Sequence, residues 1–329
     1  LEQVRGLDQM DLTGLLIALD VPQLAQKEVA ASLEENELLV AAGAEYLDSQ
    51  VDQLQQSRSF SSVSAEQRVL GSRVSCHRVR NRLDGTYNQL PEVDLTYSSS
   101  IPGNGLAAYN ANGVNITVAG GAQDGVGKTS FGGKVVILKD RGKDGVFYNG
   151  SVGKGFGYGA QKGTLIAQGN ADARAGIRLS GADLIIGGRL AHAIPEKEHG
   201  NLGVHANIKG FAFEYMTNGR GLVLGDPGPW ICAGMTGGVV YLRHQPELGL
   251  SKEALQRRIA KGAKVSIQPL SDKGKKEVSE LLDTYMNALT SQGQVDEVSY
   301  LESLKENLEE NFVQVIPVKE QADPAVSTE

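Results

Sequence analysis

Between about residues 105 and 245 one unit recurs: a few small residues, a glycine or glycine pair, then a short β-branched run. Asn112-Gly113 precedes Val114–Val118, Gly132-Gly133 precedes Val135–Leu138, and Gly163 precedes Leu165–Ala167. Gly181-Ala182, Gly219-Arg220 and Gly237-Gly238 stand likewise before Leu184–Ile186, Leu222–Leu224 and Val239–Leu242. The corners fall at 113, 133, 163, 182, 219 and 238, in steps of 20, 30, 19, 37 and 19. This spacing fits a unit near 19 residues, with a loop inserted in the step of 30 and two units inside the step of 37. One short strand per unit leaves too little chain for helical crossovers, which need ten or more residues. The pattern therefore predicts a mainly β chain, a right-handed parallel β-helix in which each turn of the solenoid contributes one strand. Seven coils at the inter-strand spacing would span about 34 Å. Glycine is abundant enough for this, at 41 of 329 residues against a usual share of about 7%.

The flanks read differently. Asp20 and Pro22 mark a helix start, and Leu39, Gly43, Tyr46, Leu47, Val51 and Leu54 form an apolar stripe at three- and four-residue steps. The polar stretch Gln55 to Ser64 reads as a linker. After 248, Val278, Leu281, Leu282, Tyr285, Met286 and Leu289 share one helical face; a short helix over Val298 to Glu309 and a closing strand over Phe312 to Val318 follow. The division is a helical N-terminal extension at 1–66, a repeat domain at 67–248, and a helical C-terminal cap and tail at 249–329.

The net charge of −7 is unevenly spread. Residues 1–60 carry 11 acidic and 3 basic side chains and residues 296–329 carry 9 and 2, which leaves the middle at net +8. Its cations are scattered among glycines with few aromatics between them, so nucleic acid is not expected, and a solvated surface, or a face meeting acidic partner chains, is preferred. No apolar run approaches membrane length, and no leader is read, so a cytoplasmic address is expected.

Four motifs invite chemistry. Ala122 to Thr129 fits a loose phosphate-loop pattern, but a β-run follows where a helix is required, so a corner is the better reading. Cys76-His77 would point to opposite faces if on a strand, which makes proton exchange between them awkward. His192, His199 and His205, with Glu196 and Glu198, form a polar loop whose spacing is not that of a tight metal pair; solvation or partner contact is the expected role. Glu214 and Tyr215 could reach a neighbouring chain's site, or Glu214 could serve backbone donors at a corner. Trp230, in Pro227-Gly228-Pro229-Trp230, is a candidate interface anchor. Two cysteines, Cys76 and Cys232, are too few for an iron–sulfur cluster.

Glu214-Tyr215-Met216-Thr217-Asn218-Gly219, followed by Ala233-Gly234-Met235-Thr236-Gly237-Gly238, resembles paired turns of the C-terminal GxGxG domain of the glutamate synthase large (alpha) subunit. Gly125-Val126-Gly127-Lys128 and Arg68-Val69-Leu70-Gly71-Ser72 resemble further segments of that domain, and the likeness runs from about 67 to 318. Asn218 and Arg220 interrupt a glycine pair, Ala182 replaces a glycine, and Leu202 to Phe213 is shorter than the family's pattern. The resemblance implies Gly113, Gly127, Gly132, Gly133, Gly163, Gly181, Gly219, Gly234, Gly237 and Gly238 as structural turn residues, with Glu214, Tyr215 and Trp230 as interface candidates. It implies a stand-alone, non-catalytic scaffold with no cofactor, metal or catalytic residue of its own. A glutamine amidotransferase-like subunit and an FMN/iron–sulfur subunit would be its partners, held in register for ammonia transfer, as in three-subunit systems such as N-methylglutamate synthase. The glycine turns also resemble those of the C subunit of formylmethanofuran dehydrogenase, which implies, as the alternative, a scaffold of another redox complex. A carbohydrate-acting β-helix would need clustered carboxylates, and none occurs between 113 and 242.

Overall fold

Each β-branched run of the repeat becomes a strand, because its side chains pack well on a pleated surface that is covered on both faces. The computed structural model describes residues 55–80 and 82–318. The sheet has eleven strands: β1 (Arg58–Ser61), β2 (Val93–Ser100), β3 (Val114–Gly120), β4 (Phe131–Arg141), β5 (Phe147–Asn149), β6 (Lys162–Ala167), β7 (Ser180–Ile186), β8 (Asn218–Val223), β9 (Val239–Arg243), β10 (Val265–Pro269) and β11 (Phe312–Pro317). The order is β1-β2-β3-β4-β6-β7-β8-β9-β11-β10, with β5 folded back on β4. Pairing is parallel from β1 to β9, and β11 runs antiparallel to both β9 and β10. The chain is mainly β, with few helices. The helical stripe expected from Asp20 to Leu54 lies outside the described residues.

The register places Leu95, Ile116, Val135, Leu165, Leu184, Gly221 and Val240 side by side, in steps of 21, 19, 30, 19, 37 and 19. The step of 30 holds the hairpin in which β4 turns back as β5. The step of 37 does not contain two units. β7 and β8 are direct neighbours, so the extra residues form one inserted loop. Glycine spacing cannot tell a missing corner from a long loop; the hydrogen-bonded ladder can. The stretch expected to be a linker also supplies β1, which pairs Arg58 with Leu95, because β2 offers an open edge there.

Two cores lie on opposite faces of the sheet. On one face Val114, Ile116 and Val118, with their in-register neighbours, pack against Leu106, Val126, Phe156 and Ile208. Four isolated parallel bridges, Ala122–Val152, Val152–Ala171, Ala171–Ile208 and Ile231–Ile259, tie successive repeats together away from the main strands. On the other face Val136, Leu138, Ile166, Ile185, Leu222 and Tyr241 are covered by the C-terminal helices. After α1 (Ser72–Val79) and α2 (Lys252–Gln256) comes the principal cover, α3 (Asp272–Thr290). The Ser271 hydroxyl caps it by accepting from Gly274 N at 3.0 Å. Val278, Leu281, Leu282, Tyr285, Met286 and Leu289 are all buried against the sheet. α4 (Val295–Lys305) and α5 (Leu308–Asn311) lead into β11. Among the described residues no helix is long and apolar enough to cross a membrane.

Two buried arginines set the ends. Arg78 on α1 is buried, with no carboxylate partner among the described residues. It donates to Asn112 O at 2.9 Å, Leu90 O at 2.9 Å, and Pro91 O and Gln55 Oε1 at 2.8 Å. Gly113 is bare because a Cβ there would lie 2.2 Å from the Arg78 guanidinium. At the other end Arg258 and Asp226 are buried together, with Nε and Nη2 donating to the two carboxylate oxygens at 2.5 Å each. Asp226 also accepts from Gly228 N at 2.9 Å, and Arg258 donates to Ala254 O at 2.8 Å, so the pair is satisfied by neighbours as well as by itself. Removing one partner strands the other's charge. Asp226→Ala is expected to cost about 3–5 kcal/mol, read from guanidinium unfolding, whereas the double change Asp226→Leu/Arg258→Met loses less, because no charge is left buried.

Candidate interaction face

Six turns lie between the bridge column and the strands, aligned one above another by backbone hydrogen bonds. In each, every second residue has positive φ: 105/107/109, 125/127/129, 155/157/159, 174/176/178, 211/213/215 and 230/232/234. The first N–H of the first five triplets reaches forward, as in Gly125 N to Lys154 O at 2.8 Å and Phe211 N to Pro229 O at 2.9 Å. The middle N–H reaches back, as in Gly157 N to Val126 O at 2.9 Å. Non-glycine residues in this conformation cost on the order of 1–2 kcal/mol each, and such strain persists only where the surroundings over-determine it. Here the two-way bonding to neighbouring repeats does so.

The middle position of each triplet points into the core. At Gly157 a Cβ would come within 2.7 Å of Leu184 Cδ1. In a later turn the same position holds Phe213, fully buried, and the room it takes is left by glycine at 176 and 221, where a Cβ would lie 2.6 and 2.5 Å from its ring. The first and third positions point outward. They are Gly105, Gly125, Gly155, Arg174, Phe211 and Trp230 in one row, and Tyr109, Thr129, Gly159, Arg178, Tyr215 and Gly234 in the other.

This arrangement brings the three interface candidates onto one face. Trp230 and Tyr215 are 52% and 55% exposed. Trp230 stacks on Phe211 with ring centroids 4.9 Å apart, and the Arg174 guanidinium lies 5.8 Å over the Phe211 ring. Arg174 also pairs with Glu214 at 3.5 Å. Further along, Lys128 sits 5.2 Å over the Tyr158 ring, and Tyr109 is 53% exposed. Arg174, Arg178, Phe211, Tyr109 and Tyr158 were not picked out from the sequence. The signal for the turn itself was present, in Lys154-Gly155-Phe156-Gly157-Tyr158-Gly159, where glycine alternates at a period of two.

The turn glycines fall into two sets. Gly127 and Gly234 belong to the triplets. Gly113, Gly132, Gly133, Gly163, Gly181, Gly219, Gly237 and Gly238 stand where the chain enters the strands, six residues beyond the triplet centres or beside that point. Gly132 and Gly237 have no positive φ; crowding excludes a side chain there, with Thr217 O 2.0 Å from a Cβ at Gly237.

In the phosphate-loop look-alike, the N–H groups of Gly125, Gly127 and Thr129 already donate to Lys154 O, Leu106 O and Tyr158 O, so they are not turned toward an anion. His205 bonds Glu198 at 2.5 Å, His199 bonds Ile194 O at 3.0 Å, and His192 is exposed. Among the described residues no group of three or more His, Cys, Asp or Glu is placed to hold a metal ion. Cys76 and His77 lie on α1, not on a strand, because the segment packs Val74 and Arg78 inward at helical spacing.

A mostly parallel sheet whose repeats are joined by turns of alternating φ defines the class of protein. The GXGXG motif family matches residues 42–318, and the chain belongs to that family. It is 32% identical over 183 residues to the ferredoxin-dependent glutamate synthase of Pyropia yezoensis, covering 55% of this chain and 10% of that protein. Against ferredoxin-dependent glutamate synthase 1, chloroplastic/mitochondrial, of Arabidopsis thaliana it is 31% identical over 199 residues, 59% of this chain and 11% of the other. Against the glutamate synthase [NADPH] large chain of Bacillus subtilis (strain 168) it is 30% identical over 156 residues, 46% and 9%. The matched region thus spans about a tenth of these relatives' length. It is homologous to the C-terminal region of glutamate synthase large chains.

Cys232 is the middle residue of its triplet, and burial pushes its thiol up from 9.0 to about 12. Cys76 is exposed. A thiol reagent at pH 8 is expected to modify Cys76 in the folded chain and Cys232 only after unfolding. The folded thiol holds its proton more tightly than the unfolded one, so the stability linked to Cys232 is intact below pH 9 and is lost as pH rises toward 12. Unfolding midpoints measured from pH 8 to 11 in a Cys232→Ser comparison check this.

Proposed function

We propose that this chain is a scaffold subunit of a glutamate-synthase-type complex, without catalytic residues of its own. In this reading the repeats wind as a right-handed parallel β-helix, the hand that parallel crossovers favour, occupying 67–248 and capped by the helices of 249–329. Three columns of cross-repeat bonding support the winding: the strand ladder, the isolated bridges and the alternating-φ turns. FMN and an iron–sulfur cluster are assigned to a partner chain, and a second partner is an amidotransferase that releases ammonia. The complex is cytoplasmic.

The observation that carries this reading is the exposed Arg174–Phe211–Trp230 stack with Tyr215, built on the turns that characterise the family. Trp, Tyr and Arg dominate the binding energy of protein interfaces, and here they are presented on a backbone that cannot easily rearrange. The test is isolation of the tagged chain from its native host. Flavin absorbance and an amidotransferase-type chain in the purified assembly are expected; recovery of a solitary chain sinks the proposal. Trp230→Ala is expected to weaken the assembly about 30-fold, equivalent to about 2 kcal/mol, with unchanged folding.

A further inference from the structure

Along the outward rows the face changes character. The turns at 105, 125 and 155 leave the first position bare, while those at 174, 211 and 230 fill it with Arg, Phe and Trp. Packing does not demand this. A Cβ on Gly155 meets nothing within 4 Å, and one on Gly125 meets only Gly105 backbone, at 3.8 Å. The later turns prove that the same backbone accepts large side chains with positive φ at this position. The bare half is therefore open peptide surface, next to a raised aromatic half.

Cations rim the bare half. Lys128, Lys154, Arg174 and Arg178 are exposed and come from three successive turns, roughly 10 Å at inter-strand spacing. Among the described residues, Lys128, Lys154 and Arg178 form no ion pair, whereas Glu214 is paired by Arg174 and Asp172 by Lys209. Asp124 has no cation among them and accepts only from the backbone N–H of Lys154, so the unpaired cations on this surface outnumber the unpaired carboxylate. We infer that the glycine-bare turns at 105–159 form a docking groove for an acidic segment of a protein partner, its backbone lying over Gly125 and Gly155 and its carboxylates met by Lys128, Lys154, Arg174 and Arg178. Nucleic acid fits less well, since Phe211 and Trp230 stack on each other and Glu214 stands among the cations. The inference rests on the scaffold reading above and specifies which surface meets the partner and with what chemistry.

The experiment uses the complex isolated through the full-length chain. Arg174→Glu/Arg178→Glu and, separately, Gly155→Trp are introduced, and thermal melting establishes that each variant folds. Each is expected to reduce partner recovery more than 30-fold, and raising salt from 50 to 500 mM should weaken the parent complex but not the residual complex of the charge variant. On the unaltered complex, zero-length carbodiimide coupling is expected to join Lys128 or Lys154 to a partner aspartate or glutamate, which tests the groove even where a variant fails to fold. Parental recovery by both folded variants, or absence of both lysine cross-links, overturns the groove alone. Absence of any complex from the parent chain overturns the scaffold reading and the groove with it. Binding of a fluorescent single-stranded oligonucleotide, abolished by the charge change while the complex persists, assigns the face to nucleic acid and overturns the inference.

Discussion

Hydrogen bonding between one repeat and the next holds every other feature of this chain in place. In the strands it is an ordinary parallel ladder. In the turns it runs in both directions, because residues of alternating φ present successive N–H groups to opposite neighbours. No turn of this kind is stable alone, since its left-handed residues cost energy that local contacts do not return. Each is stabilised by the turns above and below, which makes the conformation a property of the stack.

That dependence explains where side chains are free and where they are not. Middle positions face the core and trade volume among themselves: Phe213 is accommodated by Gly176 and Gly221. First positions face away and meet no close neighbour, so the sequence there can change from glycine to arginine, phenylalanine or tryptophan without altering the path of the backbone. A surface of this sort can vary its chemistry while keeping its shape, a suitable property for recognising a partner.

The period of the repeat was legible because the corner glycines sit at fixed distances from the turns, so that either set reports the same spacing. The cover of α3 was legible from its apolar stripe. The inserted loop between β7 and β8 was not, since a step of 37 is numerically close to two units and only pairing of Leu184 with Gly221 decides the matter. Gln55 to Ser64 is too polar to announce a strand; β1 forms because β2 offers an unpaired edge. The buried charges were beyond reach for a similar reason. Arg258 follows Arg257 in sequence, and what distinguishes them is Asp226, 32 residues earlier in an unremarkable turn. Of the interface candidates, Trp230 and Tyr215 stood out by type, but their grouping with Arg174 and Phe211 follows from stacking across repeats, which local patterns do not encode.

The return of β11 against β9 has a consequence for size. A parallel stack has no intrinsic stopping point, and an open terminal strand invites another copy of itself, which is how filaments begin. Here the chain doubles back, so the strand laid on β9 runs the wrong way to template a further unit. Among the described strands the edge at this end, β10, is only five residues long, ends in Pro269 and is preceded by Lys264. At this end the stack acts as a ruler, its count of parallel strands closed by reversal of strand direction.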